Sequence, residues 1–275
     1  MGFTDILDTI VSLYRSHCQL ILGICAVYFV LTLGMDLFAS ILTLFLKDFA
    51  GENVTVVMNP VADWITRLVA LFPTGALLFA SAQAYLGNHI TAGAAFEQVT
   101  RRFLSYLGSS LLLMLVVGVL AVTVIGIPFA IYFGIRWSFY GQAVMIEETS
   151  ATDALKRSRG LVKGTWWRIF GIILAIFLIA FMIQVVLQFF LLFLFGFTQA
   201  ISGEGGLLEM FQRMFEPELT SWDGLAAYVI QSFLNQVVTS LILPLTSVGV
   251  TLLYFDQRIR KEGFGTEIQV INDAE

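Results

Sequence analysis

Six apolar stretches, each about 20 residues or longer, leave this chain few folds. They lie at 20–46, 64–86, 106–125, 128–146, 166–195 and within 222–255. Such runs are far longer than the roughly 10-residue alternating strands of a membrane barrel. Hydrocarbon cannot hydrogen-bond a backbone, so long apolar runs must satisfy their own N–H and C=O groups as helices. Composition agrees: 58% of residues are hydrophobic and 13% charged, against about half and a quarter in soluble domains. The expected fold is all-α: a polytopic membrane helical bundle of about six transmembrane helices in one integral membrane domain, residues 1–275. The N-terminal segment, with Asp5, Asp8 and only Arg15 ahead of a long apolar run, does not read as a cleavable signal. Cys18 and Cys25 read as packed thiols.

Between the apolar runs lie amphipathic segments. Residues 3–15 place Ile6, Ile10, Leu13 and Tyr14 at helical spacing, and 91–105 do the same with Phe96, Val99 and Phe103. Both predict interfacial helices on the membrane surface. A polar loop is expected at 47–63. An acidic loop with Glu204, Glu209, Glu216 and Glu218 is expected at 196–221, enclosing an interfacial helix. The polar tail covers 256–275. Surface helix, span and return span recur three times, which suggests a three-unit repeat at about 3–86, 91–146 and 150–255.

Lys and Arg orient the chain. Six spans put Arg15, Arg101, Arg102, Lys156, Arg157, Arg159, Lys163, Arg168, Arg258, Arg260 and Lys261 on one side, out of 15 cations in all. Lys47, Arg67 and Arg213 fall on the other. Both termini are therefore expected in the cytoplasm of a multi-pass cell-membrane protein. The same count holds if the third and fourth runs form a re-entrant hairpin.

The densest basic stretch is 147–171, EETSATDALKRSRGLVKGTWWRIFG. Ser150 with Asp153 resembles a capping box, and Gly164 suits a helix end. Lys156, Arg157, Arg159 and Lys163 sit on a short helix whose Leu155, Leu161 and Val162 are expected to face acyl chains. Trp166 and Trp167 follow at the interface. Each cation near an anionic bilayer contributes about 1 kcal/mol. These residues, with Arg101 and Arg102, are the candidate binding residues for an anionic lipid headgroup or an acidic partner. The bland alternative is a topology signal alone.

Three segments carry a family resemblance. Glu147 followed by ALKRSRGLVKG and WWRIFG, the run LYFDQRIRKEGF from Leu253, and Ile6-Leu7-Asp8 with Leu13-Tyr14-Arg15 resemble motifs of the membrane-domain family named after glycerophosphoryl diester phosphodiesterase. Gly265 stands where that family usually has Asp. The resemblance implies a membrane domain only, since the chain has no room for the phosphodiesterase catalytic domain.

Little in the sequence points to catalysis. Two histidines, His17 and His89, form no cluster with cysteines, so no metal or other cofactor is expected. The chain lacks the P-loop, GxGxxG and GxSxG patterns. Polar residues inside the apolar runs are the other candidates, because intramembrane charge is costly. They are Asp36, Arg136, Gln184, Gln188, Gln231 and Asn235. Asp36 and Arg136 read either as an ion pair or as a substrate or proton site. The expected function is a non-enzymatic integral membrane protein that organises lipids or a membrane partner complex. The alternative is a small transporter or channel with a polar intramembrane centre. Membrane lipids, anionic on the cytoplasmic side, are the expected partners, with a protein partner or a second copy also open and nucleic acid excluded.

Overall fold

The computed structural model describes residues 3–51, 53–191 and 225–263. The expected acidic loop at 196–221, with its interfacial helix, and the tail from 264 onward lie outside the described residues. Within them all regular structure is helical: α1 (Phe3–Ser16), α2 (Cys18–Ala50), α3 (Asn53–Tyr85), α4 (Ala92–Ala121), α5 (Gly126–Arg136), α6 (Tyr140–Ile146), α7 (Ala151–Val162), α8 (Trp166–Leu191) and α9 (Leu225–Glu262). Among the described residues five helices, α2, α3, α4, α8 and α9, are long and apolar enough to cross a membrane. This is a helical membrane protein.

Four sequence expectations change. The fourth span is not one helix but α5 and α6, of 11 and 7 residues. At 1.5 Å per residue α5 reaches only about 16 Å, half the hydrocarbon thickness. The 91–105 segment is not a separate surface helix. It is the first half of α4, because nothing between Ala92 and Ala121 breaks the helical hydrogen bonding. The polar loop at 47–63 is almost wholly helical, and α2 and α3 are separated only by Gly51 and residue 52. Gly51 makes that reversal with φ +82°, a region open to glycine at no steric cost. The start of the expected tail belongs to α9, which continues to Glu262. Its Arg258 and Arg260 are met one turn away by Glu262 and Asp256.

The chain divides into two compact units. Unit 1 comprises 1–24, 72–177 and 244–275, and unit 2 comprises 25–71 and 178–243. Helices α2, α3, α8 and α9 each contribute to both units, and Pro244 marks the crossing point in α9. The core of unit 1 is built from Ile6 and Ile10 of α1, Leu161 and Val162 of α7, Ile169, Ile172 and Ile176 of α8, and Leu252 to Phe255 of α9. The apolar stripes of α1 and α7 are thus covered by protein. Leu161 and Val162 do not face acyl chains. Only Leu155 of the three expected residues stays partly open.

Exposed apolar surface is abundant elsewhere. On α8, Phe177 and Val186 are 62% and 61% exposed. The turn between α4 and α5 exposes Val122, Val124 and Ile125 almost fully. Part of its backbone is bonded locally. The amides of Val122 and Thr123 donate to Gly118 and Leu120, and those of Gly126 and Ile127 to Thr123. The Thr123 hydroxyl also accepts from Gly126 N–H at 3.0 Å.

Helix α7 starts and stops where its sequence signals it. Ser150 accepts from the Asp153 amide and donates to the Asp153 carboxylate at 2.7 Å. Gly164 follows the helix with φ +83°. Gly164→Ala is expected to lower stability by about 1–2 kcal/mol through left-handed strain. Gly160→Ala, inside the helix with open space around it, is expected to raise stability by up to about 1 kcal/mol. Thermal unfolding of the two variants in detergent checks the opposite signs.

Candidate functional site

The site is built around α7, and α7 is held from two sides. On one side Ser158 is fully buried. Its hydroxyl donates to the Arg136 carbonyl and accepts from the Phe139 amide, both at 3.1 Å. Those groups flank the break between α5 and α6, where helical bonding lapses. One serine therefore satisfies the break and ties α7 to it.

On the other side Arg157 lies between two carboxylates. Its Nε and Nη2 donate to Glu147 at 2.6 and 2.8 Å. Its Nη1 and Nη2 donate to Glu262 of α9, the latter at 2.7 Å. Tyr254 also donates to Glu147, and Arg258 lies 3.4–3.5 Å from both carboxylates. The side chains of Arg157, Glu147 and Arg258 are 29%, 17% and 16% exposed. Two cations and two anions make a neutral, largely dehydrated group, the condition under which such charges stay together. Glu262 and Glu147 together raise the Arg157 pKa, so the guanidinium stays charged. Lys261 completes the junction by donating to the Gly160 and Lys163 carbonyls at the end of α7, where a cation also suits the helix dipole.

With α7 held this way, Lys156 and Arg159 turn outward. They meet Arg136 from the end of α5 across a cleft of ≈ 310 Å³, whose remaining walls are Phe133, Trp137 and Leu155. Arg136 donates to the Tyr132 hydroxyl and lies 5.4 Å from that ring's centre. Tyr132 in turn stacks on Trp166, and its carbonyl accepts from the Trp166 indole at 3.3 Å. The result is a mostly apolar cleft whose lining includes three cationic residues. It can receive an anion that carries apolar groups.

The eight expected headgroup residues divide into distinct roles. Lys156 and Arg159 line the cleft. Lys156 makes an exposed pair with Asp153 at 2.9 Å, which contributes little. Lys156 and Ser150 lower the Asp153 pKa. Arg157 is committed to the two glutamates. Lys163 is exposed just beyond α7. Trp166 braces Tyr132, while Trp167 is 78% exposed, as an interfacial anchor would be. Arg101 pairs with Glu97 within α4 at 2.6 Å. Arg102 bonds the Glu148 carboxylate and, at 3.2 Å, its carbonyl. Glu148 has φ +54°, a strained setting for a residue with a side chain. Gln98, donating at 3.1 Å, and Arg102 hold it there and lower its pKa.

Several polar residues of the apolar runs have partners within their own units. In unit 2 Asp36 accepts from the Tyr228 hydroxyl at 3.1 Å, and Ser40 meets that hydroxyl at 2.5 Å. Gln188 donates to Asn235 and Gln236 to Thr32. Gln184 and Gln231 are half-buried on α8 and α9. Arg136 belongs to unit 1 and to the cleft. Among the described residues no group of three His, Cys, Asp or Glu side chains is placed to hold a metal.

Sequence reasoning by residue type passed over Glu147, Tyr254, Arg258, Glu262 and Ser158. The signal was present in the motifs: an acid before the ALKRS segment and an RIRKE segment at the far end. Single-sequence logic reads arginines at a membrane boundary as orientation signals, and it cannot pair residues a hundred positions apart. Arg157→Gln and Glu262→Gln are each expected to destabilise the protein by about 1–3 kcal/mol, with the double variant costing less than the sum. Ser158→Ala is expected to cost about 1–3 kcal/mol, because it strands a buried amide. Chemical denaturation of the purified variants measures all four.

Comparison with known proteins adds a family and no activity. No curated protein and no solved structure matches the chain. A family model described as a domain of unknown function, DUF7847, matches residues 20–254. That match includes α2 through most of α9, the cleft, and every clamp residue except Arg258 and Glu262, so the chain belongs to the DUF7847 family.

Proposed function

We propose that this chain is a non-enzymatic integral membrane protein that binds anionic lipid, and through it organises lipids or a membrane partner complex. The observation that carries the reading is the cleft of Arg136, Lys156 and Arg159 over Phe133, Trp137 and Leu155. Cations above an apolar floor, beside the exposed Trp167, match a phospholipid at the bilayer interface, with its phosphate above and its carbon below. The excess of Lys and Arg places the cleft on the cytoplasmic face, with both termini. We place the α4–α5 turn in hydrocarbon because its Val122, Val124 and Ile125 side chains are apolar and almost fully exposed. The third and fourth runs then form a re-entrant hairpin that returns to the cytoplasmic side.

A transporter or channel is the second reading. Its support is the run of polar contacts in unit 2, Asp36 with Tyr228 and Ser40, and Gln188 with Asn235.

Native mass spectrometry of the protein purified in mild detergent tests the lipid reading. Anionic phospholipid is expected to be retained over phosphatidylcholine by the wild type. Lys156→Gln/Arg159→Gln or raised salt is expected to weaken that retention several-fold. Equal anionic lipid in the wild type and a correctly inserted variant contradicts the reading. Threading is tested by single cysteines on a background lacking Cys18 and Cys25. Asn53→Cys is expected to react with an impermeant thiol reagent from outside cells, Thr152→Cys only after permeabilisation, and Thr123→Cys from neither side. Labelling at position 152 from outside reverses the orientation.

A further inference from the structure

We infer that the cleft selects phospholipids whose headgroup is a phosphomonoester, the chemistry of phosphatidic acid, over headgroups joined through a phosphodiester. The inference rests on the anionic-lipid reading and specifies its ligand.

Charge is the first ground. Three cations line the cleft, and the acid paired with one of them is Asp153. That pair is exposed on both sides, at 76% and 58%, so an arriving anion displaces it at little cost. A phosphodiester brings a single negative charge. A phosphomonoester carries about −1.5 to −2 at pH 7, which neutralises the cleft more completely.

Donor geometry is the second. A phosphomonoester presents three unesterified oxygens and a phosphodiester two. Arg136 and Arg159 offer planar forks suited to phosphate, and Lys156 offers a third donor. Arg136 is already oriented by the Tyr132 hydroxyl and ring, and its own carbonyl is held by Ser158. Little side-chain freedom is left to lose on binding.

The floor decides between a lipid and a free phosphate. Phe133, Trp137 and Leu155 offer nothing to an inorganic anion but match glycerol and the first methylenes of acyl chains. Selectivity should also depend on pH through the ligand. Its second proton returns near pH 6, while Asp153, with its lowered pKa, stays ionised.

The test presents the full-length protein with phosphatidic acid and phosphatidylglycerol of identical acyl chains, equimolar in phosphatidylcholine, and counts bound lipid by native mass spectrometry. At pH 7.5 phosphatidic acid is expected to be retained about fivefold over phosphatidylglycerol, the effect of roughly one added cation contact. The ratio should fall toward one at pH 5 and in Lys156→Gln/Arg159→Gln. It should be unchanged in Arg101→Gln, whose cation lies outside the cleft. A ratio of one at pH 7.5, with both lipids retained over phosphatidylcholine, overturns the phosphomonoester inference and leaves the anionic-lipid reading standing. Retention of neither lipid overturns both. Displacement of phosphatidic acid by millimolar inorganic phosphate overturns the lipid as the source of the anion.

Discussion

Arg157 carries its charge into a setting from which water is largely excluded, and one end of unit 1 is arranged around it. An arginine so placed needs anionic partners that use several of its five donors. Glu147, at the end of α6, and Glu262, at the end of α9, provide them. This contact joins segments more than a hundred residues apart. It also fixes the rotation of α7, because a guanidinium bonded to two carboxylates admits few alternatives. Once that rotation is set, Ser158 must face the α5–α6 break, Leu161 and Val162 must enter the core, and Lys156 and Arg159 must face out. The four basic residues that look alike in the sequence are therefore unlike in the structure: one holds the fold, two line a cleft and one lies beyond the helix.

Helix breaks impose the other constraint. A helix break inside a membrane leaves polar backbone groups that water cannot reach. The chain breaks between α4 and α5 and again between α5 and α6, and each break has its own remedy. In the first, Thr123 accepts from the opening amides of α5. Ser158 closes the second from another helix. The second remedy does double duty, because it makes the end of α5, with Arg136, part of the same rigid arrangement as α7. A cationic cleft is what remains between them.

Much of this was legible in the sequence, for identifiable reasons. Apolar run length and the lack of alternation specify a helical membrane protein, and the start of α8 and most of α2 follow from where the runs lie. Ser150 and Gly164 mark α7 because capping and left-handed backbone are local matters. Run length fails where a break is built from apolar residues. Residues 137–139 look no different from helix, so 128–146 reads as one span. Hydropathy also cannot distinguish an amphipathic helix lying on a bilayer from one lying on protein. The stripes of α1 and α7 are covered by α8 and α9. Cationic candidates such as Lys156 and Arg159 were visible by type, but the clamp that orients them depends on Glu147 and Glu262, whose pairing with Arg157 is a property of the fold.

The central claim is that the Arg157 clamp orients α7 and so forms an anion-binding cleft that Arg157 does not itself line. The most direct measurement is site-mapped cross-linking in proteoliposomes containing a phosphatidic acid analogue with a photoreactive group near the glycerol. It compares the wild type with Arg157→Gln. The account predicts cross-links on the segments carrying Phe133 to Trp137 and Leu155 to Arg159 in the wild type. It predicts loss of most of that signal in Arg157→Gln, although Arg136, Lys156 and Arg159 are all still present. Undiminished cross-linking at those segments in the variant, or labelling spread evenly over the exposed helices of the wild type, would contradict it.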